Sequence, residues 1–191
     1  MSEQLLTHLS KFVKLKEEDK AEIVAFFQPK HFKKKENLIE AGSICKYHYF
    51  VVKGCLRMFF VDDKGVEHTT YFAIENWWLT DYLAFQGQQF TTFYIQSVED
   101  TQVLALDFYA EERLLTQFPV LERYFRLVYQ RAFGAAQVRI KYLYDFSREE
   151  LYHHFQSHYP EFIQRIPQYL LASFLGFTPE YLSEIRKKKR S

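Results

Sequence analysis

The residues with the clearest chemical potential in this 191-residue chain stand at its end, where residues 165–190 read RIPQYLLASFLGFTPEYLSEIRKKKR. Pro167 suits a first helical turn, and Tyr169, Leu170, Ala172 and Leu175 then recur at helical spacing. Gly176 ends that helix. Thr178 is a good N-cap for a second helix with Pro179 at its first position, and Leu182 and Ile185 face back onto the first. Two helices joined this way form the unit that reads DNA. An ordinary helical hairpin covering a core shares the two helices and the glycine, but small Ala172, Gly176 in the turn and the basic end favour the reading unit. Thr178, Pro179, Glu180, Ser183 and Glu184 take the exposed early positions of the second helix, with Arg186, Lys187 and Lys188 behind them for backbone phosphates.

Charge points the same way, locally. The whole chain carries only +1, which gives no reason to expect nucleic acid, yet from residue 161 onward Arg165, Arg186, Lys187, Lys188, Lys189 and Arg190 outnumber Glu161, Glu180 and Glu184. A basic run directly after a helix neutralises phosphates and makes affinity fall steeply with salt. A bland solvated terminus would show the same run. Other chemistry finds little support. His154 and His158 are four apart and share a helix face, with His153 beside them, but two ligands without a third make a poor metal site. Cys45 and Cys55 lack zinc or iron-sulfur spacing, and His48 and His68 stand alone, without the close pair that a metal-dependent β-roll enzyme needs. No catalytic residue, metal or cofactor is expected.

The elements that must position the reader follow from hydrophobic period. Residues 3–27 are helical in pattern, with Leu5, Leu6, Leu9, Phe12 and Val13 on one face and Ala21, Ile23, Val24 and Phe27 on another after a charged break. From about Lys30 the period shortens. HYFVVKG (48–54), CLRMFFV (55–61) and VEHTTYF (66–72) are aromatic and β-branched, Asp63, Lys64 and Gly65 form a hairpin turn, and further strands are predicted at 90–97 and 102–107. After Pro119 the helical period returns over residues 120–145, a span of roughly 39 Å at about 1.5 Å per residue. Its apolar stripe needs a cover. Gly134, Ala135 and Ala136 permit close approach of a second helix, so Tyr124, Val128, Ala132, Ala135 and Val138 are assigned to self-association; packing on the chain's own strands is the other solution. Ser147 with Glu150 is a capping-box pattern that starts a new helix. The fold class is therefore α+β: an antiparallel β-unit of several short strands with flanking helices (1–118), a long dimerisation helix (119–146) and a C-terminal helix-turn-helix (147–191). The N-terminus lacks a signal peptide's apolar core and no apolar run would span a bilayer, which predicts a cytoplasmic protein without membrane contact.

The order of helical lead, the phrase NLIEAGSICKYHYFVVKGCLRMFFVDDKGVE, long helix and terminal helix pair resembles the Crp/Fnr family of bacterial transcription regulators, and ENWWLTDY (75–82) is similar to a phrase of its Bacteroidetes members. The resemblance implies that the antiparallel β-unit is a jelly-roll-like β-roll and that the protein is a homodimer on two-fold symmetric double-stranded DNA, with recognition helices roughly 34 Å apart. RNA polymerase and a small-molecule effector are candidate further partners. Members that bind cyclic AMP hold its ribose with a Gly-Glu pair and its phosphate with an arginine. Thr80 and Asp81 stand for the pair, Thr91 with Thr92 stands near the arginine's place, and no arginine lies between Arg57 and Arg113. A buried cyclic phosphate without a paired charge is costly, so cyclic AMP is not expected. Trp77 and Trp78 are pocket candidates, core packing being their other reading. Glu180 fits the family's reading helix and can accept from cytosine N4, whereas Glu184 replaces the usual arginine. With the two-stranded wing also missing, the alternative is a ligand-binding or interaction module whose helix-turn-helix no longer contacts DNA.

Overall fold

The computed structural model describes residues 1–188, and the expectations placed on the Lys188 side chain, Lys189 and Arg190 lie outside the described residues. The chain forms two compact units. One comprises Met1–Phe60 and Tyr71–Arg131, the other Val61–Thr70 and the described residues from Ala132 onward.

The first unit begins with α1 (Ser2–Ser10) and α2 (Lys20–Ala25), two helices where the sequence suggested a broken pattern over 3–27. Eight strands follow: β1 (Gln28–Phe32), β2 (Asn37–Ile39), β3 (Tyr47–Lys53), β4 (Leu56–Val61), β5 (Glu67–Ala73), β6 (Trp78–Leu79), β7 (Tyr94–Ser97) and β8 (Thr101–Asp107). Three helices join them: α3 (Tyr82–Gly87), α4 (Phe108–Gln117) and the first half of α5 (Val120–Asp145). The strands make two sheets, in the orders β1-β8-β3-β6 and β2-β7-β4-β5. Tyr49 lies opposite Ala105 and Val51 opposite Val103 in the antiparallel β3–β8 pair.

That pair is buried on both faces. Tyr49, Val51, Val103 and Ala105 point into the core inside the roll with Leu56, Leu79 and Ile95, while Phe50, Val52, Leu104 and Leu106 meet α1, α4 and α5 through Leu5, Leu9, Leu114, Leu121 and Phe125. Two-sided burial explains why these strands read as apolar runs and not as alternating ones. Each fully buried leucine contributes about 1.5–3 kcal/mol. β1, β2 and β6 carry no such signature, and hydrophobic period does not reveal them. The strand expected over 90–97 starts only at Tyr94, since Phe90 makes an isolated bridge to Ile44.

The second unit contains the hairpin between β4 and β5, the remainder of α5, and α6 (Arg148–His158), α7 (Pro160–Arg165), α8 (Gln168–Leu175) and α9 (Pro179–Lys188). The long helix occupies the residues its period predicts. It stops where Ser147 accepts the amide of Glu150 and the Glu150 carboxylate accepts the amide of Ser147, the reciprocal cap that opens α6. The hairpin turns at Gly65, in the left-handed region, with the Asp62 carboxylate accepting the amides of Lys64 and Val66. The His68 ring lies 2.8 Å from the same carboxylate and is the first cause holding the Asp62 carboxyl below its ordinary range.

Candidate nucleic-acid interface and ligand site

The C-terminal helices are built from the inside outward. Leu171, Ala172 and Leu175 of α8 and Leu182 and Ile185 of α9 are buried, joined to Leu151 and Tyr152 of α6 and Ile163 of α7 in the same unit. Gly176 adopts the left-handed conformation that closes α8, and the Phe177 amide reaches back to the carbonyl of Ala172 at 2.8 Å. The Thr178 hydroxyl then accepts the amide of Tyr181, so the expected N-cap is formed.

Burial of Leu182 and Ile185 fixes which face of α9 remains open. Glu180, Ser183, Glu184 and Lys187 are exposed at i, i+3, i+4 and i+7, a single stripe along the helix. Thr178 and Pro179 are exposed at its start, and Arg186 lies half-buried on the flank. The open face therefore presents two carboxylates, one hydroxyl and one ammonium group. Arg148 of α6 lies over the Tyr181 ring, 5.8 Å from its centre, and braces the helix from behind.

In the β-roll, Asp81 and Thr91 are hydrogen-bonded to each other, while Thr80 is spent on Tyr47 and Cys45. The Thr80 hydroxyl donates to the carbonyl of Tyr47 at 2.9 Å and lies 3.2 Å from the Cys45 thiol. Asp81 caps α3 by accepting the Ala84 amide on one carboxylate oxygen, and its other oxygen accepts the Thr91 hydroxyl. Thr91 in turn accepts the amide of Phe93. Thr80 is 1 % and Thr91 2 % exposed, so both hydroxyls are sealed from solvent, while Thr92 beside them is exposed. Burial also pushes the Cys45 thiol above its ordinary range.

The two tryptophans separate. Trp77 is 47 % exposed, with the Tyr71 ring 6.3 Å away. Trp78 is not a pocket wall but a core residue, packed on Phe50, His48 and Phe125, its indole N–H donating to the Tyr124 hydroxyl at 2.7 Å. Tyr124 corrects the dimerisation set for the same reason: it is 0 % exposed, and its hydroxyl also meets His8 Nδ1 at 2.7 Å. Val128 packs on the same core. Ala132 is half-buried, Ala135 and Val138 are exposed, and the most exposed large apolar side chains of α5 are Phe133, Ile140, Leu143 and Tyr144. These recur at i, i+7, i+10 and i+11, on one helix face.

The polar contacts of Arg57, His48 and Arg139 inside the fold are not legible in the sequence. Arg57, in the middle of an apolar strand, donates through Nε and Nη2 to the Gln96 side chain at 3.0 and 2.7 Å. His48 is fully buried and its Nδ1 lies 3.2 Å from Glu111, whose other oxygen accepts the Tyr129 hydroxyl. Arg139 of α5 is held down from its ordinary range by burial. A charged residue inside an apolar run is the one available signal, and Arg57 alone shows it. Among the described residues no group of histidine, cysteine, aspartate or glutamate is arranged to hold a metal ion. No described helix is long and apolar enough to cross a membrane.

The helix-flanked antiparallel roll and the long helix are features that this chain shares with proteins of known structure. Residues 29–117 match the cyclic nucleotide-binding domain family. Among solved structures, a transcriptional regulator of the Crp/Fnr family from Eubacterium rectale superposes with a TM-score of 0.70 at 16 % identity, covering 92 % of this chain and 84 % of its own. FixK2 from Bradyrhizobium japonicum gives 0.70 at 14 % identity, covering 85 % and 83 %. The catabolite activator protein of Thermus thermophilus gives 0.57 at 19 %, covering 91 % and 83 %. The shared feature at these identities is the fold, which is that of the Crp/Fnr-type regulators. No curated protein matches the sequence.

Proposed function

We propose that the chain is a cytoplasmic, DNA-binding transcription regulator of the Crp/Fnr type, acting as a homodimer, without enzymatic activity and without need of cyclic AMP. The observation that carries the reading is α9: capped by Thr178, anchored by Leu182 and Ile185, and open along Glu180, Ser183, Glu184 and Lys187, as a helix-turn-helix requires of its second helix. Glu180 and Ser183 are the side chains able to meet base edges, with Arg186, Lys187 and Lys188 on phosphates. The Phe133, Ile140, Leu143 and Tyr144 stripe supports the dimer, because a helix leaves so many large apolar groups open when a second copy covers them.

The ligand-site geometry supports independence from cyclic AMP. An incoming phosphate would face the Asp81 carboxylate and two threonine hydroxyls already bonded, with no cation brought by Thr91 or Thr92. One observation favours a second reading. Glu184 is exposed in the middle of the α9 stripe, where a carboxylate repels phosphate, as expected of an interaction module that no longer reads DNA.

Selection of sites from a random duplex pool, with and without cyclic AMP, decides between them. A two-fold symmetric site enriched equally in both conditions is the expected result. Absence of enrichment, with only salt-sensitive generic affinity from the basic tail, would support the second reading.

A further inference from the structure

α1 has two faces. Leu5 and Leu9 are buried on the core outside the roll, while Gln4, Thr7, His8 and Lys11 line a pocket of about 530 Å³ together with Asn76, from the segment between β5 and β6. A concavity of this size takes a small molecule. Its wall is tied to the roll: the Gln4 amide donates to the carbonyl of Val52 at 2.9 Å and to the side-chain oxygen of Asn76 at 3.2 Å. Asn76 holds a left-handed φ of 69°, a conformation that asparagine adopts more readily than most residues. With its oxygen taken by Gln4, its amide nitrogen is the end left to donate.

Hydrogen bonding also fixes the protonation of the imidazole in that wall. The Trp78 indole can only donate, and it donates to the Tyr124 hydroxyl at 2.7 Å. Tyr124 is sealed from solvent, so its own proton goes to His8 Nδ1, also 2.7 Å away. Nδ1 is therefore the lone-pair nitrogen, and the neutral ring carries its proton on Nε2. The surroundings are positive. Lys11, one turn along α1, and Arg131 of α5 add to burial in keeping the ring uncharged, and among the described residues of the pocket wall Glu3 is the one carboxylate. An imidazole N–H, a hydroxyl, an amide and an ammonium group in one concavity call for an acceptor that carries negative charge. We propose that the α1 pocket binds a small oxyanion, a phosphate or carboxylate group accepting from His8 Nε2, Thr7 and Asn76, with Lys11 neutralising its charge. The site is separate from the Asp81 and Thr91 pair, and it requires neither DNA nor cyclic nucleotide. A bound anion favours the imidazolium, so filling the site and protonating His8 assist each other.

Isotope-edited NMR of the histidine rings in the full-length protein tests the site. At neutral pH His8 should show a protonated Nε2 and an unprotonated Nδ1; the opposite tautomer would overturn the assignment. Sodium sulfate, compared with sodium chloride at equal ionic strength, should shift the His8 Nε2 resonance saturably and leave the exposed His31 ring unmoved. The His8 titration midpoint should rise by about one pH unit with sulfate bound. Lys11→Gln should raise that midpoint in chloride, since one cause of its depression is gone, and abolish the saturable response to sulfate. Formate repeats the series for carboxylates. Saturation by sulfate alone assigns a phosphate-type ligand, by formate alone a carboxylate, and by both an oxyanion of either kind. Saturation by neither, an equal response at His31, or an undiminished response in Lys11→Gln would overturn the proposal.

Discussion

The Thr91 hydroxyl donates to the Asp81 carboxylate across 2.7 Å, within the stretch 29–117 that matches the cyclic nucleotide-binding domain family. Asp81 simultaneously caps α3, and Thr91 simultaneously accepts the Phe93 amide, so the pair has a structural task that needs no ligand.

Titration calorimetry with cyclic AMP should therefore show no saturable heat. Thr91→Val, which removes both hydrogen bonds of the hydroxyl from a buried position, should cost about 1–3 kcal/mol in urea denaturation. Saturable nucleotide binding by the wild type would sink the structural assignment of this pair.

Gly54 connects β3 to β4 with φ +103°, and a Cβ there would overlap Thr101, 2.7 Å from its Cα, and the Asp100 carbonyl oxygen at 2.8 Å. Both the dihedral and the backbone neighbours exclude a side chain. Gly54→Ala should lower stability by roughly 2–4 kcal/mol, whereas Gly65→Ala, with open space around it, should lose only the smaller cost of its positive φ. Equal denaturation midpoints for the two variants would contradict this.

Ile140 sits at the centre of the open apolar stripe of α5. On the homodimer proposed above, Ile140→Glu should weaken self-association by roughly 2 kcal/mol or more, read by sedimentation as a lower mass than that of the wild type at the same concentration. Val138→Glu, on a different face of the helix, should have a smaller effect. Identical masses for wild type and Ile140→Glu across dilution would remove the stripe from any dimer.

His8 packs in the aromatic cluster of Phe12, Phe50 and Tyr124, and burial, then Lys11, then Arg131, lower its pKa from 6.5 to about 4. Between those values the unfolded chain binds more protons than the folded one. The neutral ring thus contributes stability that is fully present above pH 6.5 and is lost as pH falls toward about 4. His8→Gln should flatten the acid limb of the stability profile in that window, and a parallel limb in both proteins would refute the assignment.

Features that depend on neighbours in sequence are legible in the sequence alone. The limits of α5, the Ser147 and Glu150 cap, the Gly65 turn and the order Ala172, Gly176, Thr178, Leu182 all follow from helical or strand period and from capping chemistry, which act over a few residues. What period cannot assign is the partner of a face. Tyr124 and Val128 show the same apolar spacing whether they meet another copy or their own core, and folding turned them inward and left Phe133, Ile140 and Leu143 open. Trp78 went to the core and Trp77 to solvent for the same reason. The strands β1, β2 and β6 exist because distant segments pair with them, and the hairpin's partner, α8, lies a hundred residues away, joined to it by the Ser173 hydroxyl and the Arg139 guanidinium. Local chemistry determined the elements; which surfaces meet was decided by long-range burial and by the need to satisfy backbone groups that no neighbour in sequence could reach.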